Sequence, residues 1–179
     1  MCLMLLLTGC KTQDREMDRA ISFRQKLLAS EGCSFATEIY ADYGLQLHRF
    51  SLSNIADPQG NISFSVTYPE SIEGIQGSLA AEGGSLTFDD KVLAFPLLAE
   101  GSLSPVSAPW LMLKSLRSGY IVSVGLEDTF LRLTVDDGYE DNAVTLDIWL
   151  DGADCPVRAD IMFNGSKIVS MNVKEFRML

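Results

Sequence analysis

Hydrophobic and polar positions alternate with two different periods along the chain, and the change of period divides the chain into elements. Between residues 14 and 30 apolar side chains recur every three or four positions, which predicts a helix with one apolar face. Gly32 ends this stretch, and most apolar positions after it recur every second residue. A second helix is predicted at 107–117, where Ser107 suits the N-cap and Pro109 the first turn.

The stretches with a period of two predict antiparallel strands, because the turns between them are too short for crossover connections. We expect eleven, at 34–43, 46–54, 61–69, 75–81, 85–89, 92–97, 120–126, 129–137, 142–151, 155–164 and 167–176. Strands with one apolar face need that face covered. A curved sheet with both helices laid across it satisfies this need, so the sequence predicts a mainly β (α+β) domain at 17–179.

The pairing of the last four strands follows from matching their apolar faces. The first predicted pairs are Val135–Val144, Leu133–Leu146, Leu131–Ile148, Thr134–Thr145 and Arg132–Asp147. The next are Leu150–Val157, Ile148–Ala159, Leu146–Ile161, Trp149–Arg158 and Asp147–Asp160. We interpret the two paired aspartates as a solvated charge row on the convex face, because hard cations want six or more oxygen ligands. In the last hairpin a bulged loop at Asn164-Gly165 is expected to set Ile161 opposite Val169.

Composition restricts the function more than the fold. The 179 residues suit one domain, and a hydrophobic content of 47% with a mean hydropathy of +0.14 supplies a sizeable core. A net charge of −10 disfavours nucleic acid as a partner. His48 is the only histidine, there is no Gly-x-Ser-x-Gly motif, and the acidic segment 136–142 lacks EF-hand spacing. We therefore expect no metal, no cofactor and no catalytic residue.

The N-terminus indicates the compartment. An apolar run ends in Leu7-Thr8-Gly9-Cys10, which resembles a bacterial lipobox and implies cleavage before Cys10 and lipidation of its sulfur. Residues 1–9 then correspond to a signal peptide truncated at its start, since they contain no Lys or Arg. Residues 10–16 become a lipidated tether that holds the protein on the extracytoplasmic face of the cell membrane. The alternative is a short apolar N-terminus that packs on the domain.

The four cysteines leave one question open. Cleavage removes Cys2 and acylation consumes Cys10, so Cys33 and Cys155 remain in a compartment that permits disulfides. These two residues form either a disulfide or two separate thiols, and the sequence does not decide between them.

The layout as a whole resembles a known family. It combines a lipobox, an N-terminal helix, antiparallel strands, a helix inserted in mid-chain and a C-terminal hairpin formed by 156–161, a turn at 164–165 and 169–176. This arrangement is similar to the LolA/LolB/RseB-like envelope proteins, including LppX-like lipoproteins. The resemblance implies an incomplete antiparallel β-barrel of about eleven strands, with the two helices covering its concave face. It also implies a non-enzymatic protein.

The same resemblance implies a hydrophobic ligand, such as a lipid, an acyl chain or a lipopeptide, in the concave cavity, with a role in handling envelope lipids or lipoproteins. The candidate lining residues are Phe35, Ile39, Phe64, Val66, Phe88, Trp110, Leu133, Leu146, Ile148 and Ile161. An ordinary packed core is the alternative for each of them, and the protein is then an envelope sensor or an interaction scaffold. We expect a monomer whose partners are the membrane, through the lipid, and an apolar small molecule or lipid, with any protein partner unknown.

Overall fold

The computed structural model describes residues 10–42, 47–88, 91–95, 98–99, 102–138 and 144–179. The elements in chain order are α1 (Cys10–Ala29), β1 (Cys33–Asp42), β2 (Leu47–Ala56), β3 (Ile62–Tyr68), β4 (Gln76–Ala80), β5 (Gly83–Phe88), β6 (Lys91–Phe95), β7 (Leu98–Ala99), β8 (Ser102–Leu103), α2 (Ala108–Ser118), β9 (Tyr120–Glu127), β10 (Phe130–Asp136), β11 (Thr145–Leu150), β12 (Pro156–Phe163) and β13 (Ser166–Met178). The expected signal peptide at 1–9 and part of the acidic segment, 139–143, lie outside the described residues.

Eleven of the strands form one antiparallel sheet, which confirms the predicted fold class. The strand order is β6-β5-β4-β3-β2-β1-β13-β12-β11-β10-β9, so two meanders join through the pairing of β1 with β13. The edges of this open sheet are β6 and β9. The helices α1 and α2 pack on one face of the sheet, which we call the inner face, and the opposite face is the outer face.

Three local features differ from the sequence expectations. Helix α1 begins at Cys10, so residues 10–16, which we expected to be a tether, are helical. Ser107 does not cap α2 through its side chain, because its hydroxyl donates to the carbonyl of Ser104 inside a 3-10 turn at Pro105–Ser107. The pattern also gave no sign of the two-residue strands β7 and β8, which form a small separate hairpin.

The predicted pairing of β10 with β11 is wrong by two residues. Leu133 lies opposite Ile148 and Val135 opposite Leu146, where we expected Leu146 and Val144. Leu131 faces Leu150 in place of Ile148, Thr134 faces Asp147 in place of Thr145, and Arg132 faces Trp149 in place of Asp147. A shift of two residues keeps every side chain on its own face, so the alternation of apolar positions does not distinguish the two pairings.

The predicted pairing of β11 with β12 is confirmed except at its end. Leu150 lies opposite Pro156, where we expected Val157, because a bulge follows Trp149. Proline has no N–H to donate to the ladder and is therefore found at such irregular positions. In the last hairpin a bulge after Ile161 sets this residue opposite Val169, as predicted.

The interpretation of Asp147 and Asp160 as a solvated row is wrong. Each is only 6% exposed, although both lie on the outer face. Arg132 approaches Asp147 to 2.6 Å, Arg158 approaches Asp160 to 2.6 Å, and both guanidinium groups stack on the ring of Trp149. Burial would raise the pKa of Asp160, but hydrogen bonds from Arg158 and Ser170 outweigh this and keep the pKa below its usual value. The aspartates therefore form neutralised structural ion pairs.

Candidate functional site

The inner face of the sheet is a continuous apolar surface, and it holds nine of the candidate lining residues whose burial the structure describes, together with Trp110 from α2 above it. The nine side chains are at most 7% exposed and comprise Phe35, Ile39, Phe64, Val66, Trp110, Leu133, Leu146, Ile148 and Ile161. The backbone of Phe88 lies in β5 opposite Lys91, and its side chain is outside the described part of the protein. The sequence pattern thus placed these residues around one interior.

Helix α2 occupies the space above this surface. Eight of its eleven residues are buried, which leaves only Lys114, Arg117 and Ser118 outside the interior. The helix is apolar on nearly its whole circumference, as expected for a helix surrounded by protein on all sides. It contacts β10 and β11 below and α1 beside it. The interior is therefore filled by a helix in addition to the side chains of the sheet.

The C-terminus of α2 is held by an arginine from α1. The guanidinium of Arg24 donates to the carbonyl oxygens of Leu116 at 2.7 Å, Gly119 at 2.9 Å and Ser115 at 3.1 Å. The last carbonyls of a helix have no partner within the helix, and a cation at this end also complements the helix dipole. Burial lowers the pKa of Arg24 from its usual value. Arg24 thus connects the two helices through charged hydrogen bonds.

Two weaker contacts connect α2 to the sheet. Lys114 forms an ion pair of 2.8 Å with Asp137, just after β10, and Arg117 donates to the carbonyl of Pro58 at 2.7 Å. Both cationic side chains extend from the rim of the helix towards solvent-exposed partners. Exposed pairs of this kind contribute little to stability. Arg24 is therefore the principal polar contact of α2 with another element among the hydrogen bonds described.

Helix α1 closes the interior from outside. Its apolar face buries Ala20, Phe23 and Leu27. The ring of Phe176 in β13 lies 6.3 Å from that of Phe23 and 5.6 Å from that of Phe35, so an aromatic cluster joins the helix to the sheet. The predicted apolar face of the N-terminal helix is thus the surface that covers the core.

The apolar inner face continues beyond the helices towards β6. Phe64 pairs with Gly77, Gly77 with Leu86, and Leu86 with Leu93, so all four positions lie on the same face. A Cβ atom at Gly77 would overlap the ring of Phe64, which shows that this ring lies directly over the glycine. Leu86 is only half-buried and Leu93 is 65% exposed. This end of the inner face is therefore accessible from solvent.

The hollows described in the structure lie at the surface. One of about 470 Å³ lies on the outer face around Ser78 and Ser85, and one of about 420 Å³ lies between α1 and the β9–β10 turn. A third, of about 320 Å³, lies along the edge strand β9. None of these three is lined by a candidate residue. In this conformation α2 takes the volume that a ligand would need.

Two polar side chains on or above the inner face were missed by the sequence analysis. Asn54 and Thr37 are 1% and 2% exposed, and the amide nitrogen of Asn54 donates to the hydroxyl of Thr37 at 3.2 Å. Asn54 Oδ1 is buried without a partner in the structure. The signal was present in the alternation of Leu52, Asn54 and Ala56, which places the asparagine on the apolar face of β2.

Other chemistry considered from the sequence is placed as follows. Cys33 and Cys155 are two free thiols, and burial raises the pKa of the Cys33 thiol to about 11, which disfavours the reactive thiolate. His48 is exposed on β2. Within the described ranges no three His, Cys, Asp or Glu side chains come together as metal ligands. No described helix has the length and hydropathy to cross a membrane.

Comparison with known proteins finds similarity in structure. No family model and no curated protein matches the chain. A putative outer membrane lipoprotein-sorting protein domain from Vibrio parahaemolyticus superposes with a TM-score of 0.50 at 10% identity, over 93% of each chain. A LolA superfamily protein from Nitrosomonas europaea gives 0.48 at 8% identity, over 89% of this chain and 93% of that one. The lipoprotein LppX of Mycobacterium tuberculosis gives 0.43 at 14% identity, over 94% and 96%.

The class of fold follows from this geometry. An open antiparallel sheet of eleven strands with two helices on its inner face is the LolA/LppX-like open barrel. The resemblance read from the sequence is confirmed at the level of the fold. Neighbours of this fold include envelope lipoproteins, so the chain has a lipoprotein-type fold suited to hydrophobic ligands.

Proposed function

We propose that this protein is a lipoprotein, anchored through Cys10 on the extracytoplasmic face of a membrane, that binds an apolar ligand against the inner face of its sheet. The ligand is a lipid, an acyl chain or a lipopeptide. It occupies the volume that α2 fills here, so binding displaces α2. The role is binding rather than catalysis, in keeping with a sequence that carries one histidine, exposed on β2.

The observation that carries this proposal is the position of α2. An apolar helix lies between the sheet and α1, and its described polar contacts with other elements come from Arg24, Lys114 and Arg117. Moving the helix outward would uncover the apolar inner face without breaking any strand pairing. The solvent-accessible end at Leu86 and Leu93 gives a ligand a place to enter. Apolar contact area then passes from α2 to the ligand.

A second candidate function is a protein-interaction scaffold or sensor with a permanently packed interior. The burial of eight residues of α2 and of the nine candidate lining residues favours it. The two functions differ in one measurable property, which is whether α2 leaves the interior when an apolar molecule is offered.

Fluorescence of Trp110 tests this difference. The chain has two tryptophans, and Trp149 lies on the outer face, so the Trp149→Phe protein reports from α2 alone. With Cys10→Ser added to prevent acylation, we expect diphenylhexatriene to bind saturably and to increase the quenching of Trp110 by acrylamide. Trp110 is 7% exposed before binding, so its release gives a large change. No saturable binding, with Trp110 still shielded, would reject the binding function and favour the scaffold.

Metabolic labelling tests the anchor. In a bacterial host that processes lipoproteins, we expect an alkyne fatty acid to label the protein and the protein to sediment with membranes. Cys10→Ser should abolish the label and release the protein. Cys155→Ser is the matched control and should leave both unchanged, because this thiol is free and half-buried in the folded domain. Label that persists in the Cys10→Ser protein would overturn the anchor.

A further inference from the structure

Asn54 lies in the middle of the surface that the proposed function assigns to the ligand. It pairs with Phe35 on one neighbouring strand and with Phe64 on the other, and both are candidate lining residues. Asn54 is only 1% exposed. A polar side chain at such a position destabilises the core unless its hydrogen bonds are satisfied.

Only one half of the Asn54 amide is satisfied. Its Nδ2 donates to the carbonyl of Phe35 at 3.2 Å, the hydroxyl of Thr37 at 3.2 Å and the carbonyl of Leu52 at 3.4 Å. The two carbonyls accept hydrogen bonds and never donate them, so Nδ2 must face them and the amide cannot be reversed. Oδ1 consequently points away and has no partner in the structure. The inner face thus presents one buried acceptor without a donor.

The surroundings of this acceptor favour a neutral group. Among the described residues, the fully buried side chains that carry a charge are Asp147 and Asp160, and both belong to the outer face. A carboxylate or phosphate beside Asn54 would therefore lose its hydration, meet another acceptor and find no buried cation. A hydroxyl or an amide N–H would supply the missing donor at no electrostatic cost.

We propose that Asn54 Oδ1 is the polar anchor of the ligand site and accepts a hydrogen bond from a hydroxyl or amide N–H of a neutral lipid. This inference rests on the proposed function and narrows its ligand class. The apolar part of the lipid lies along Phe35 and Phe64, and its donor group meets Asn54. An interior built only to exclude water has no use for an unpaired acceptor at this position.

The test compares two competitors that differ in one donor. Diphenylhexatriene, which has no hydrogen-bonding group, is bound to the Cys10→Ser protein and displaced with dodecanol or with dodecyl methyl ether. One hydrogen bond corresponds to roughly a three- to tenfold difference in affinity, so we expect dodecanol to compete better by this factor. Equal competition by the two molecules would overturn the inference and leave the proposed function standing. Failure of diphenylhexatriene itself to bind would reject the proposed function.

Variants assign the effect to one atom. Asn54→Leu should bind diphenylhexatriene and compete equally well with both molecules. Ser53→Ala, on the exposed side of the same strand, is the matched control and should keep the preference. Thr37→Val leaves Asn54 Oδ1 in place and should also keep it, which provides a folded comparison if Asn54→Leu is unstable. A preference that survives in Asn54→Leu, or is lost in Thr37→Val, would contradict the assignment.

Discussion

Replacing Arg24 by methionine should lower the free energy of unfolding by about 3 kcal/mol, because charged hydrogen bonds of this kind contribute about 1.5–3 kcal/mol each and one guanidinium supplies three. The substitution keeps the aliphatic stem and leaves the carbonyls of Ser115, Leu116 and Gly119 without their donor. Denaturant unfolding at neutral pH measures the change. Because the same contact holds α2 in the interior, diphenylhexatriene should also bind more tightly to the variant.

The control for this experiment is Lys26→Met on the same helix. Lys26 is exposed, so the variant removes a cation from α1 without removing a partner of α2. We expect its free energy of unfolding to change by less than about 0.5 kcal/mol. An Arg24→Met protein that unfolds like the control would show that α2 is held by apolar packing alone.

Trp149→Ala should be the most destabilising change on the outer face, at about 3–5 kcal/mol, as found for large aromatic residues in cores. The ring is 6% exposed and lies between the guanidinium groups of Arg132 at 5.4 Å and Arg158 at 4.5 Å. These two arginines neutralise the buried Asp147 and Asp160. Removal of the ring therefore costs apolar burial and also loosens both ion pairs. Thermal and denaturant unfolding measure the loss.

A second stack on the same face supplies the comparison. Arg49 lies 5.4 Å from the rings of both Tyr40 and Tyr68, but Arg49 and Tyr68 are 52% and 45% exposed. We expect Tyr68→Ala to cost less than about 1 kcal/mol, because cation–π contacts at exposed sites are weak. Similar losses for the two variants would mean that the stacking geometry, rather than burial, determines the effect.

Much of the fold was readable from the sequence because the strands alternate cleanly and the turns are short. The pairing of β11 with β12 was predicted through Asp147–Asp160 and Trp149–Arg158, since few residues separate these strands. The pairing of β10 with β11 was not, because a longer connection allows a slip of two residues that changes no face. Arg132 and Asp147 form their ion pair on the diagonal in the observed pairing.

The candidate site was readable in part for the same reason. Alternation identifies which residues face inward, and so it found the apolar surface around Ile148 and Ile161. It does not show how deeply a covering helix enters, so α2 was expected across the concave face and not as a filling of the interior. Asn54 was missed because the predicted strand ended with it, whereas β2 continues to Ala56.

The start of α1 at Cys10 sets how the domain would sit at a membrane. An acyl group on Cys10 would be attached to a stiff stem rather than to a loose thread, since the helix continues without interruption to Ala29. Arg24 lies fourteen positions further on, about 21 Å along the axis at 1.5 Å per residue. The residue that would carry the lipid and the residue that holds α2 thus belong to one rigid rod. Tilting of that rod by the lipid surface would be transmitted directly to the helix that fills the interior.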